Sequence, residues 1–139
     1  MGQQQLLLIV LGVIIVGVAV IVGIHLFEAN ARQSAIDAQT NEVVSIATMA
    51  MGYYKKPKAF SGGGSSFEGF TYPFLGDSTN PTGTIFYTDL GIYLFTTNPV
   101  NGREQMQIRA SNLAYKPYWL IICWVYNTSY IMSVSDQAM

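Results

Sequence analysis

Charge is scarce in this chain and unevenly placed. Only 11% of the 139 residues are Asp, Glu, Lys or Arg, against about 25% in ordinary soluble domains. None of the seven basic and eight acidic residues lies before Glu28, and His25 is the one titratable side chain of that first stretch. The sequence therefore predicts two physically different parts joined end to end.

Cysteine and histidine are rarer still. The single cysteine, Cys123, excludes an intrachain disulfide, and its apolar neighbours predict a small buried hydrophobe. One histidine and one distant cysteine cannot build a zinc site, and the carboxylates are scattered without a pairing pattern. We therefore predict no catalytic residue, no metal site and no cofactor, and a protein that is not an enzyme.

Nucleic-acid and nucleotide binding also lack their usual signals. The net charge is −1, and the only basic cluster, Lys55, Lys56 and Lys58, is more typical of a solvated loop than of a phosphate site. Residues 61–66 are rich in glycine and serine but lack the Lys-Ser/Thr pair of a phosphate-binding loop. We predict a flexible loop there, and we expect no nucleic-acid partner.

What the chain does contain is a long hydrophobic run, residues 6–27. In a helix these 22 residues would extend about 33 Å, enough to cross a hydrocarbon core about 30 Å thick. A cleaved secretory signal would have a basic start, a shorter apolar core and a small-residue cleavage site, and none of these is present. We predict residues 1–27 to be a hydrophobic transmembrane or filament-core helix.

The helix is expected to continue beyond this run. Residues 28–51 contain no Pro or Gly and are rich in helix formers. Ala29, Ile36, Val43 and Ala50 recur seven residues apart, which indicates an amphipathic helix with a small-residue face. We predict residues 28–56 to be its amphipathic continuation, ending before Pro57. The two segments would form one rod of about 50 residues, roughly 75 Å long.

Residues 57–139 are predicted to form a β-rich globular head. Aromatic and β-branched runs at 84–88, 92–97, 104–109, 119–126 and 130–134 are separated by turn residues at 89–91, 98–102 and 127–129. Four or five antiparallel strands follow, and their apolar face needs a cover. The amphipathic half of the helix is the available cover, so the expected fold class is α+β. Asn127-Thr128-Ser129 also fits the N-glycosylation acceptor pattern, with Asn127 as the candidate.

One part of the chain resembles a known family. Residues 7–20, Leu-Leu-Ile-Val-Leu-Gly-Val-Ile-Ile-Val-Gly-Val-Ala-Val, resemble the N-terminal helix of type IV pilins and related pseudopilins. The resemblance covers the first 30 residues closely and the remaining helix by architecture. It implies a subunit inserted in inner-membrane lipid, extracted by the pilus assembly machinery, and polymerised with itself into a cell-surface filament. Gly12, Gly17 and Gly23 would let the packed helices approach closely.

The start of the chain departs from the family pattern. Family precursors carry a leader that ends in Gly, so Gly2 and Gln3 are the processing candidates; alternatively, Met1 is already the mature terminus. Many pilins have a glutamate that docks on a neighbouring subunit's amino group. Gln5 takes that place if Met1 is the first residue, and Leu7 takes it if Gln3 is.

Three functions are compatible with these observations. The first is a structural subunit of a type IV pilus-like filament used for adhesion, motility or surface attachment. The second is a pseudopilin of a secretion or DNA-uptake machine. The third is a bitopic, membrane-anchored binding module that does not polymerise. Replacing Gly12 and Gly17 by Leu would damage polymer packing under the first and leave membrane anchoring intact under the third.

Overall fold

A computed structural model describes residues 2–70, 85–100, 103–112 and 118–137 of the chain. It contains one long helix, α1 (Gly2–Lys55), and five strands: β1 (Ile85–Thr88), β2 (Gly91–Val100), β3 (Arg103–Ser111), β4 (Tyr118–Val125) and β5 (Tyr130–Gln137). The fold is α+β, as predicted. The chain divides into two compact units, Met1–Ile36 and Asp37–Met139.

The predicted single helix is confirmed. α1 is continuous over 54 residues, and the absence of Pro from this stretch leaves every helical hydrogen bond possible. It ends at Lys55, two residues before Pro57, because the residue preceding a proline is disfavoured in the helical conformation.

The glycine-rich segment after α1 folds back onto the end of the helix. Three of its N–H groups donate hydrogen bonds of 2.9 Å: Gly63 to Tyr53 and Ser65 to Tyr54 in the last turn of α1, and Gly64 to Lys56 just beyond it. Carbonyls in the last turn of a helix have no partner inside it, so this segment caps the helix. The sequence predicted a flexible loop here, whereas the structure has a hydrogen-bonded cap. Glycine makes the cap possible because it lets one backbone approach another closely.

The five strands form a simple meander. Their order in the sheet is β1-β2-β3-β4-β5, and every neighbouring pair is antiparallel. The predicted strands are all confirmed, but the turn predicted at 98–102 is too long. Pairing of β2 with β3 continues through Pro99 to Val100, opposite Arg103. Nine residues of β2 are paired with β3, and this pairing overrides the local preference of Asn and Pro for turns.

The core lies between one face of the sheet and the helix residues of the second unit. Ten sheet residues are buried: Phe86, Tyr93, Phe95, Met106, Ile108, Ala110, Trp119, Ile121, Cys123 and Val125. Four apolar helix residues are fully buried with them: Val43, Ile46, Ala47 and Ala50. The predicted cover of the sheet by the amphipathic helix is therefore confirmed. Ala29 and Ile36, predicted on the same stripe, are exposed and half-buried respectively.

Two polar contacts fix the helix to the sheet within this core. The indole Nε1 of Trp119 donates a 2.6 Å hydrogen bond to Oε1 of Gln39, and the hydroxyl of Tyr93 donates one of 2.6 Å to Oε2 of Glu42. Burial raises the pKa of Tyr93 far above its ordinary value, and the neighbouring Glu42 carboxylate raises it further. Cys123 is buried as predicted, and burial raises the pKa of its thiol to about 11.

Candidate functional site

The candidate site is the apolar segment of α1, defined as residues 2–27. Every residue of this segment is exposed except Gly23, which is half-buried. Its large apolar side chains are between 49% exposed, at Val10, and 79% exposed, at Phe27. Among the residues that the structure describes, α1 is the one helix long and apolar enough to cross a membrane.

Composition explains why the apolar segment has no buried face of its own. Its Leu, Ile and Val residues surround the helix axis on all sides, whereas a helix of a soluble domain carries an apolar stripe opposite a polar one. In an apolar medium the backbone must satisfy its own hydrogen bonds, and a helix does so within a single segment. The segment is therefore suited to contact with lipid or with other apolar helices.

Small residues open this surface on two different sides. At about 100° per residue, Gly12, Ala19 and Gly23 fall within about 40° of one another around the helix, while Gly17 lies about 140° from Gly12. No neighbouring atom lies within 4 Å of the position that a Cβ would take at any of the three glycines. A second helix can approach the backbone from either side.

Polar groups mark both ends of the apolar segment. At its start, Gln3 and Gln5 are exposed and uncharged. At its end, Nδ1 of His25 lies 4.0 Å from Oε2 of Glu28, and both side chains are about three-quarters exposed, at 74% and 73%. The uncharged stretch thus runs from an amide-rich end to the first ionisable pair of the chain.

The candidate residues from the sequence fall in both units. Gly2, Gln3 and Gln5 lie in the first turns of α1, upstream of the three glycines. Asn127 is exposed in the turn between β4 and β5 of the second unit, and its Oδ1 accepts a 3.4 Å hydrogen bond from Oγ1 of Thr128. Processing at Gly2 and Gln3, docking through Gln5 and glycosylation of Asn127 stay predictions.

Sequence reasoning missed Ala19 as part of the small-residue surface. The signal was its spacing, seven residues after Gly12 and four before Gly23, which places all three on one helix face. Within the described ranges, no group of three His, Cys, Asp or Glu side chains could hold a metal ion.

Comparisons with known proteins add no further likeness. The resemblance to type IV pilins rests on the apolar segment and on the arrangement of a long helix with a small antiparallel sheet. No family model, no curated protein and no solved structure matches this chain.

Proposed function

We propose that this chain is a structural subunit of an extracellular type IV pilus-like filament, held together by the packed apolar segments of many copies. The observation that carries the proposal is the apolar segment itself, exposed on all sides and free of charge over residues 2–27. Before assembly the same surface would sit in inner-membrane lipid. In the filament, identical helices would replace the lipid.

Exposing the apolar segment to water would cost a large free energy. Seventeen Leu, Ile, Val and Phe side chains between Leu6 and Phe27 are about half exposed or more. Fully burying one such side chain contributes about 1.5–3 kcal/mol, so leaving this surface in water would cost on the order of 20 kcal/mol. That exceeds the total stability of many small domains, about 5–15 kcal/mol. The segment therefore requires lipid or protein around it.

The distribution of small residues favours several helix neighbours over one. A dimer needs a single close-packing face, which Gly12, Ala19 and Gly23 would supply. Gly17 opens a second face about 140° away. Two such faces on one helix allow each copy to contact different neighbours at each face, which is the condition for an open helical polymer.

The second unit suits the outside of such a filament. It has its own core, formed by α1 residues from Gln39 onward and by the sheet, and its polar contacts hold that core together. This unit would face solvent while the apolar segments pack at the filament axis. We infer adhesion, motility or surface attachment as the role, with the inner membrane and then the cell surface as its locations.

The test combines filament imaging with a mass measurement. A shear fraction from expressing cells would be imaged by electron cryo-microscopy, and the N terminus would be read from the intact mass of the subunit. Thin, uniform filaments with helices bundled at the axis support the proposal. Protein found solely as a monomer in detergent-extractable membranes contradicts it and leaves the anchored binding module as the function.

A further inference from the structure

The second unit contains a cleft that lies outside the apolar segment. It has a volume of about 680 Å³, within the range of about 300–1,000 Å³ typical of ligand pockets. Seven described residues line it: Tyr54, Ser65, Glu104 and the four residues 126–129. They come from the end of α1, its glycine-rich cap, the start of β3 and the turn between β4 and β5. The lining of this one cavity thus comes from four separate segments of the chain.

The walls of the cleft are held by contacts of their own. The ring of Tyr54 packs against Phe67, with 4.7 Å between ring centroids. Oε2 of Glu104 accepts a 3.2 Å hydrogen bond from the backbone N–H of Phe67. The turn is closed by a 2.8 Å hydrogen bond from the Tyr126 N–H to the Ser129 carbonyl. Because these groups are already ordered, a ligand would find them in place.

The chemistry of the lining narrows the ligand class. Among the described residues that line the cleft there is no Lys or Arg, and Glu104 contributes a carboxylate, so the described lining disfavours phosphate, sulfate and other anions. The remaining polar groups are one amide, three aliphatic hydroxyls and two phenols. Amides and hydroxyls both donate and accept hydrogen bonds, which matches a ligand whose own groups do the same.

We propose that this cleft binds a neutral saccharide. The hydroxyls of the sugar would pair with Glu104, Asn127 and the hydroxyls of residues 128 and 129. Its apolar C–H face would lie against the rings of Tyr54 or Tyr126, which present large, rigid apolar area. The assignment does not depend on polymerisation, since every lining residue belongs to the second unit.

The experiment uses the full chain in a polyoxyethylene detergent, because glucoside and maltoside detergents would compete for the site. Saturation-transfer NMR would probe lactose, maltose, cellobiose and N,N′-diacetylchitobiose, one at a time. Tetramethylammonium and Nα-acetyl-lysine methylamide would be tested as cationic probes, since an aromatic and acidic lining also suits a cation. The expected result is transfer to at least one disaccharide and none to the two cations.

Two variants locate the binding. Glu104→Gln keeps an oxygen to accept the Phe67 N–H but removes the charge, and Tyr126→Ala removes one ring. Each should weaken saccharide binding roughly tenfold, the change that corresponds to about 1.4 kcal/mol. Tyr87→Ala and Glu68→Gln alter a tyrosine and a glutamate outside the cleft and should leave the affinity unchanged.

Three results would overturn the proposal. The first is no transfer to any of the four disaccharides. The second is saccharide binding that survives Glu104→Gln, the variant that preserves the local hydrogen bond and hence the fold. The third is binding of the cationic probes without binding of the saccharides, which would reassign the cleft to an amine ligand.

Discussion

Trp119 Nε1 and Gln39 Oε1 lie 2.6 Å apart in a hydrogen bond that joins residues 80 positions apart in the chain. Both side chains are fully buried. A buried indole N–H needs a partner, and the side-chain amide of Gln39 on α1 provides one. The pair therefore helps to fix where the helix lies on β4, because a hydrogen bond is more directional than the apolar contacts that make up most of this core.

Replacing Gln39 should destabilise the second unit. Gln39→Leu keeps a similar volume but removes the Gln39 Oε1 acceptor of the Trp119 N–H, which should lower the free energy of unfolding by about 1–3 kcal/mol. Urea unfolding in detergent, followed by tryptophan fluorescence, measures this. Asn41→Leu on the exposed side of α1 is the control and should change stability by about 0.5 kcal/mol or less.

A double-mutant cycle separates the hydrogen bond from packing. Trp119→Phe removes the donor, and the combined variant with Gln39→Leu removes both partners, so the coupling free energy should be about 0.5–3 kcal/mol. Trp124 remains as the fluorescent reporter. Purely additive effects of the two changes would show that the contact contributes no directional stability.

Alanine substitution should change the free energy of unfolding in opposite directions at Gly63 in the cap and at Gly52 in α1. A Cβ at Gly63 would clash with the Ser66 carbonyl and approach the Tyr53 ring to 2.8 Å, whereas no atom lies within 4 Å of one at Gly52. Gly63→Ala should destabilise the second unit by about 1–3 kcal/mol. Gly52→Ala, inside the helix, should stabilise it by up to about 1 kcal/mol. Equal effects in urea unfolding would contradict the cap.

High pH should weaken the second unit. Burial raises the pKa of Cys123 from 9.0 to about 11 and raises that of Tyr93 further, so the folded state keeps protons that the unfolded chain releases. The stability from both groups is complete below about pH 9 and is lost as the pH rises through 9 toward 11 and above.

Urea midpoints measured across this pH range test the sign. The midpoint should fall steadily above about pH 9 in the unchanged protein, because the unfolded state then binds fewer protons. Tyr93→Phe removes the phenol and should make the fall shallower. A midpoint that stays constant to pH 11, or rises, is incompatible with these buried groups.

Helix packing in the proposed filament should depend on the glycines Gly12 and Gly17. Gly12→Leu and Gly17→Leu add bulk where the surface is open, one on each small-residue face, and overpacking of this kind costs about 1–3 kcal/mol. Sheared filaments should fall roughly tenfold or more relative to membrane-bound subunit. Val13→Leu enlarges a residue that is already bulky and should leave filament yield close to normal. Equal yields from all three variants would argue against packing at these faces.

Strand positions could be predicted from the sequence because alternation and turn residues are local signals. Strands at 92–97 and 130–134 could be predicted without knowing which strands pair with them, and both ranges lie in strands. The length of β2 was not predictable in the same way, since Asn98 and Pro99 are in the strand through pairing with β3. The apolar segment was predicted whole, because the absence of charge over residues 2–27 is itself a local property.

Contacts between distant residues could not be predicted. Gln39 resembles a solvent-facing helix residue in sequence, and its burial depends on Trp119, far along the chain. The cap that includes Gly63 and Ser65 was predicted as a flexible loop, because the carbonyls of α1 that order it are not a local signal of the glycine-rich sequence. The cleft around Glu104 was also missed, since its walls come from four separate parts of the chain.

We propose above all that copies of the apolar segment pack against one another in a filament. Electron cryo-microscopy of a shear fraction from expressing cells tests it most directly, with the intact mass of the subunit identifying its first residue. We expect thin filaments with bundled helices along the axis and the second units outside. Shear fractions without filaments, together with all of the protein in detergent-extractable membranes as a monomer, would contradict it.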